Sequence, residues 1–99
     1  WVPVYSNNSV SIVRASSGAV IATLTGNGLN GPWNASFDGE RVLVLNRLGH
    51  SVSLWKAADL SPLGSVTLAM DATAFPIGVC NDGLNFWIST LNGGRVLRF

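Results

Sequence analysis

Asn34-Ala-Ser-Phe-Asp-Gly-Glu-Arg-Val-Leu-Val-Leu-Asn46 is the stretch that decides the fold, because two β-type runs flank an Asp-Gly pair. A second copy, Val79-Cys-Asn-Asp-Gly-Leu-Asn-Phe-Trp-Ile-Ser-Thr90, follows 44 residues later. The alignment of the two copies places Asp38-Gly39 on Asp82-Gly83. Asp-Gly between apolar runs is a strong hairpin signal. Each copy is therefore predicted to form a strand, a tight turn and a strand.

The repeat extends outward from this hairpin in both directions. Ser51-Val-Ser-Leu-Trp55 repeats Ser9-Val-Ser-Ile-Val13, and residues 95–99 match the same pattern. A period of 44 residues in an all-β pattern is typical of a β-propeller blade, which is a four-stranded antiparallel sheet. Ten strands are predicted, at residues 1–6, 9–14, 19–24, 33–37, 41–46, 51–55, 62–68, 77–80, 86–90 and 95–99.

The predicted fold class is all-β, with about two and a half propeller blades in one segment spanning residues 1–99. With blade strands labelled a to d from the centre outward, residues 1–30 supply strands b, c and d of a partial blade. Residues 31–74 form a complete blade, and residues 75–99 supply strands a, b and c of another partial blade. Val42 and Val44 lie on one side of strand b and Leu43 and Leu45 on the other, as in a sheet buried on both faces.

The low charge of the chain has two explanations: Ser, Thr, Asn and Gly form the exterior of a strand-rich chain, or, as we favour, another polypeptide covers part of its apolar surface. Charged residues make up only 11% of it, against about 25% in typical soluble domains. Repeat units cannot bury their faces alone, and about three or more are normally needed for stability. The predicted partner is either further copies of the chain, forming a homo-oligomer, or a complementary propeller chain. We expect both ends to be incomplete, as in a processed chain or an excised fragment.

Several classes of partner and cofactor are not expected. The net charge is +1 and the six Lys and Arg residues are scattered, which argues against a nucleic-acid partner. No apolar run approaches the ~18 residues of a membrane span. Cys80 is the single cysteine, so it has no disulfide partner within the chain, and it is predicted to be an inert core thiol. No metal and no other cofactor is predicted.

Candidate ligand-binding residues are Trp33, Arg47 and His50. Trp33 follows Gly31-Pro32 at the predicted mouth of the channel, and exposed aromatic rings are common in pocket walls. Arg47 and His50 share the loop 46–51. His50 has no acidic partner near it in sequence, so it is expected to be an exposed loop residue, and no catalytic residue is predicted.

The remaining candidates are predicted to be structural. Asp38 and Asp82 resemble a pair of acid–base carboxylates, but each precedes a glycine, Gly39 or Gly83, in a tight turn. Asp in such a turn accepts local backbone hydrogen bonds. The tryptophans of two strands are expected to pack between blades; they are Trp55 and Trp87.

The sequence resembles the YVTN/NHL-like β-propeller repeat family over nearly its whole length. The resemblance is carried by Asn8-Ser-Val-Ser-Ile-Val13, Ser17-Gly-Ala-Val-Ile-Ala-Thr-Leu24, Gly31-Pro32 and Phe37-Asp-Gly-Glu-Arg-Val-Leu-Val-Leu-Asn46. It implies a non-catalytic binding or interaction scaffold that is secreted, periplasmic or attached to the cell surface. Some related propellers are lyases, so part of a propeller enzyme stays open as an alternative, as does a sugar-binding propeller assembly.

Overall fold

The computed structural model describes residues 1–68, 74–92 and 94–99, and it is all-β. A single 3-10 turn, Tyr5–Asn7, is the one helical element among these residues. None of the described helical turns has the length and hydropathy needed to cross a membrane. The strands are β1 (Val2–Val4), β2 (Ser9–Val13), β3 (Val20–Leu24), β4 (Pro32–Phe37), β5 (Arg41–Asn46), β6 (Ser51–Lys56), β7 (Ser61–Thr67), β8 (Phe75–Asn81), β9 (Phe86–Leu91) and β10 (Val96–Arg98).

The strands form three antiparallel sheets, each with its own hydrogen-bonded order. The first sheet has the order β1-β2-β3, the middle sheet β4-β5-β6-β7 and the third sheet β10-β9-β8. The sequence predicted ten strands, and the described residues contain ten, in groups of three, four and three. As described, each sheet is open and none closes on itself.

The middle sheet is buried on both faces, which is why β5 is continuously apolar. Val42 and Val44 pack against Val10 and Ile12 of the first sheet. Successive side chains of a strand point to opposite faces, so the alternate β5 residues point to the third sheet. There Leu43 and Leu45 pack against Phe86 and Ile88. Full burial of such side chains contributes roughly 1.5–3 kcal/mol each, so these two layers hold the three sheets together.

The outer face of the third sheet is open. Trp87 pairs with Cys80, and Ser89 pairs with both Gly78 and Val96. These residues line a shallow apolar groove of about 240 Å³. Cys80 is exposed in this groove, so the prediction of a core thiol was wrong. The strand assignment of Cys80 was right, but its side chain points to the face that no described residue covers.

Trp55 and Trp87 therefore have different environments, although both were expected between sheets. Trp55 is buried with Val10 and Val44, and Trp1 lies beside it with 6.1 Å between ring centroids. Trp87 is 37% exposed on the open face of the third sheet. The outer face of the first sheet is open in the same way, and Val20 is exposed there.

Candidate functional site

The candidate residues are divided between two ends of the sheets. The hairpin end carries the turns 38–40 and 82–85 and the loop 57–60, and the Ala57 amide donates to the Glu40 carbonyl at 3.0 Å there. The loop end carries the connections 25–31 and 47–50. At that end the Arg47 amide donates to the Gly31 carbonyl at 2.9 Å.

Asp38 is placed in the turn between β4 and β5, where local donors occupy its carboxylate. Its Oδ1 accepts from the amides of Glu40 at 2.9 Å and Arg41 at 2.6 Å, and its Oδ2 pairs with Arg41 Nε at 3.1 Å. Burial raises the pKa of Asp38, but these hydrogen bonds and the Arg41 charge outweigh it and leave the pKa below its usual value. Gly39 has a φ of 101°, a conformation that glycine adopts without steric cost.

Asp82 has the same role between β8 and β9. Its Oδ1 accepts from the amides of Leu84 at 2.9 Å and Asn85 at 2.8 Å, and its Oδ2 accepts from Trp87 Nε1 at 2.9 Å. The Asn85 amide, the Trp87 indole and the Leu84 amide together lower the pKa of Asp82 to about 2. Gly83 has a φ of 91°. Both carboxylates are thus occupied by their own turns.

The acidic residues do not assemble a metal centre in the part of the chain that the structure describes. There, no three residues among His, Cys, Asp and Glu come close enough together to hold an ion. Asp59 accepts from the Ser61 amide at 3.0 Å within its own loop, and Asp71 lies outside the described residues.

The loop end brings Trp33, Arg47 and His50 together with two further aromatic residues, Tyr5 and Phe75. These five residues are called the loop-end cluster below. Arg47 Cζ lies 4.6 Å from the centroid of the Trp33 ring and 5.6 Å from that of Phe75. The Tyr5 ring meets Trp33 edge-on at 5.4 Å, and His50 meets Phe75 edge-on at 5.2 Å. One cation is therefore held among aromatic rings from separate segments.

A β-bulge places Trp33 in this cluster. Pro32 pairs with Asn46 and Asn34 pairs with Leu45, so Trp33 is the extra residue of β4. A bulge re-aims the side chain of the inserted residue. Trp33 retains 46% of its surface exposed, although Arg47 stacks on its ring. The third sheet has the same bulge between Pro76 and Gly78, and there the inserted residue is Ile77.

Asn46 anchors the loop that carries Arg47 and His50. It is fully buried, and its Nδ2 donates to Ser51 Oγ at 3.1 Å and Ser53 Oγ at 2.9 Å. Its Oδ1 accepts from the Asn30 amide at 3.3 Å. Buried polar groups of this kind are costly unless they are satisfied, so this network sets the position of the loop.

His50 is half-buried, which corrects the expectation of an exposed loop residue. Its backbone has a φ of 49°, and its carbonyl accepts from the Leu68 amide at 2.8 Å. Its Nε2 is shielded from solvent and has no hydrogen-bond partner among the described residues. The ring packs edge-on against Phe75, the first residue of β8.

Tyr5, Phe75 and Asn46 were not identified as site residues from the sequence. Tyr5 lies in the 3-10 turn between β1 and β2, and Phe75 begins β8 of the third sheet. The stacking of the sheets brings Tyr5 beside Trp33 and Phe75 beside Arg47 and His50. Asn46 had a signal, since a polar residue ends an otherwise apolar strand. A scan against protein-family models and a search of curated proteins each found no match to this chain.

Proposed function

We propose that this chain is a segment of a β-propeller, of the YVTN/NHL-like type, that joins further blades to form a closed, non-catalytic binding scaffold. The partner blades belong either to copies of the chain or to a complementary propeller chain. Assembly comes first, because the outer faces of the first and third sheets are open in the single chain.

One observation carries the proposal. Val10, Val52 and Val96 occupy the same position of the sequence repeat. Val10 and Val52 are 0% exposed, and each faces the next sheet along the chain. Val96 is 67% exposed because no described sheet follows it. In a stack of repeats, a position that is buried in the inner repeats is exposed in the last one, because no further repeat covers it.

The two existing interfaces support this reading because they use matching positions. Val10 and Ile12 pack against Val42 and Val44 at the first interface. In the repeat, Val52 and Leu54 align with Val10 and Ile12, and Phe86 and Ile88 align with Val42 and Val44. Val52, Leu54, Phe86 and Ile88 form the second interface. On the open face of the third sheet Val96 keeps this pattern, and Arg98 stands where the middle sheet has Leu54.

The first sheet offers the other half of such an interface. Val13 takes the repeat position of Trp55, which is buried where the middle sheet meets the first. Val13 pairs with Val20 on the opposite, open face of the first sheet, and Val20 is exposed. Large exposed apolar faces on soluble proteins mark interaction sites.

Size-exclusion chromatography with light scattering tests the proposal on the wild type and on Val96→Asp. We expect the wild type to associate at micromolar concentration, and Val96→Asp to shift it toward monomer because a charge desolvated in the interface is costly. Leu84→Asp is the matched control, since Leu84 is 86% exposed in a hairpin turn away from this face. It should leave the mass unchanged.

The outcomes separate the two partners. A defined oligomer indicates copies of the chain, and heterogeneous aggregation that Val96→Asp reduces indicates a complementary propeller chain. A well-folded wild-type monomer at micromolar concentration refutes the proposal.

A further inference from the structure

The loop-end cluster holds a cation whose hydrogen-bond donors are not used by the described residues. Arg47 stacks on Trp33 and approaches Phe75. Among the residues that the structure describes, the one salt bridge joins Arg41 to Asp38 at the hairpin end. No described acceptor takes a hydrogen bond from the Arg47 side chain. Its guanidinium carbon lies over the Trp33 ring at 4.6 Å from the centroid, and its five N–H donors radiate in the guanidinium plane.

Stacking makes this guanidinium a pre-oriented fork. Arginine presents five N–H donors in a plane, which match the two oxygens of a carboxylate. A side chain already held by aromatic rings loses little further freedom when it pairs with a ligand. The arrangement therefore favours a bidentate anion.

The neighbouring aromatic surface suits a ring attached to that anion. Trp33 keeps 46% of its surface exposed while Arg47 occupies part of it, and Tyr5 is 40% exposed beside it. Aromatic walls with a few oriented polar groups are the usual composition of small-ligand sites. Packing of a flat apolar surface against indole adds to the affinity.

The described acidic side chains lie at the other end of the sheets. The carboxylates in the described part of the chain are those of Asp38, Glu40, Asp59 and Asp82, and all four are in the turns and loops of the hairpin end. The loop-end cluster contains Arg47 and no described carboxylate. Among the described residues, Arg47 is thus the ionised group of the loop-end cluster that an anion would meet.

We propose that the loop-end cluster binds a small carboxylate attached to a ring, with the carboxylate paired to Arg47 and the ring packed on Trp33. This proposal rests on the proposed function in one respect, which is that the assembled scaffold binds a ligand. All five cluster residues come from one chain.

Isothermal titration of the assembled protein with matched probes tests the ligand class. Benzoate and glucuronate carry the carboxylate on an aromatic and a sugar ring, respectively. Benzyl alcohol and glucose keep each ring without the charge, and acetate keeps the charge without the ring. We expect at least one acidic ring compound to bind roughly tenfold more tightly than both its neutral counterpart and acetate. The tighter of the two identifies the kind of ring.

Variants locate the binding. Arg47→Gln removes the charged fork and should weaken binding by roughly tenfold or more, and Arg47→Lys should restore only part of it because an ammonium is not bidentate. Trp33→Leu should weaken binding about threefold to tenfold. Arg14→Gln at the hairpin end is the control and should leave the affinity unchanged.

The results that overturn the inference are distinct from those that overturn assembly. Equal affinity for benzoate and benzyl alcohol and for glucuronate and glucose, or unchanged affinity in a folded Arg47→Gln variant, removes the carboxylate site. The mass from light scattering is read independently of these titrations. A monomer that still binds acidic rings keeps this site and rejects the assembly proposal.

Discussion

Two hairpins of this protein have the same backbone geometry but different side chains. They are the hairpin of β4 and β5 in the middle sheet and the hairpin of β8 and β9 in the third sheet. Both have a bulge after a buried proline, Pro32 or Pro76. Both turn on an Asp-Gly pair with the glycine at positive φ. The repeat therefore preserves the residues that shape the chain path.

The differences between the two hairpins lie where each copy meets its surroundings. Trp33 of the middle hairpin stands where the third sheet has Ile77, and Arg47 stands where it has Leu91. On the sheet face, Leu43 is buried under the third sheet while its counterpart Trp87 is exposed. One backbone thus supports a cation–aromatic cluster in one copy and an open apolar face in the other.

The largest expected effect is a difference in stability loss between substitutions at Leu43 and at its counterpart Trp87. Leu43→Ala should lower the free energy of unfolding by about 2–5 kcal/mol, because it leaves a cavity in a closed layer. Trp87→Ala should cost about 1 kcal/mol, mainly through the lost hydrogen bond to Asp82. Urea unfolding of both variants in a Val96→Asp background, which we expect to shift the protein toward monomer, measures the two values. Equal losses would contradict the open third face.

A smaller effect tests whether the two turns are equivalent. Gly39→Ala and Gly83→Ala should each cost roughly 1–2 kcal/mol, because an L-residue is strained at positive φ. The φ values of 101° and 91° are close, so we expect the two losses to agree. The same urea titrations measure them, with Ala58→Ser in an exposed loop as a neutral reference. A cost at only one turn would show that the hairpins differ in backbone as well as in side chains.

The smallest effect sharpens the comparison through pH. The pKa of Asp82 is lowered in the folded protein from 3.8 to about 2, first by the Asn85 amide and then by the Trp87 indole and the Leu84 amide. A depressed pKa stabilises the fold above the unfolded value, and this contribution is lost as pH falls through the folded value. We expect the free energy of unfolding to decline between pH 3.8 and about 2. Urea titrations monitored by tryptophan fluorescence at each pH measure it.

Asp82→Asn is the variant for this experiment, because it keeps a side-chain acceptor for the turn but cannot titrate. Its stability should vary less over the same pH range. Asp38→Asn should act in the same direction, since the pKa of Asp38 is also lowered. An unchanged acid profile in both variants would rule out the turn carboxylates as its source.

Most of the local structure could be predicted from the sequence. Glycine and Asp-Gly turns are short-range signals, and the alternation in strands such as Ser9–Val13 has a period of two residues. These signals need no knowledge of the rest of the chain. Trp33, Arg47 and His50 could likewise be selected as candidates, because their residue types and loop positions are visible in the sequence.

The stacking of the sheets determined which residues from distant segments meet and which sheet faces are buried. Tyr5 meets Trp33, and Phe75 meets Arg47 and His50, because the first and third sheets lie on either side of the middle one. Cys80 and Trp87 were expected to be buried, but burial depends on which sheet covers a face, and strand periodicity does not contain that information. The exposure of Val96 follows from the same fact.

The sequence by itself determined the strands, their turns and the repeat, because these depend on residues within one hairpin of each other. The tertiary structure alone decided which faces are closed and which residues form the loop-end cluster. The physical reason is that a repeated hairpin specifies its own backbone, while the environment of each copy is set by its neighbouring sheets.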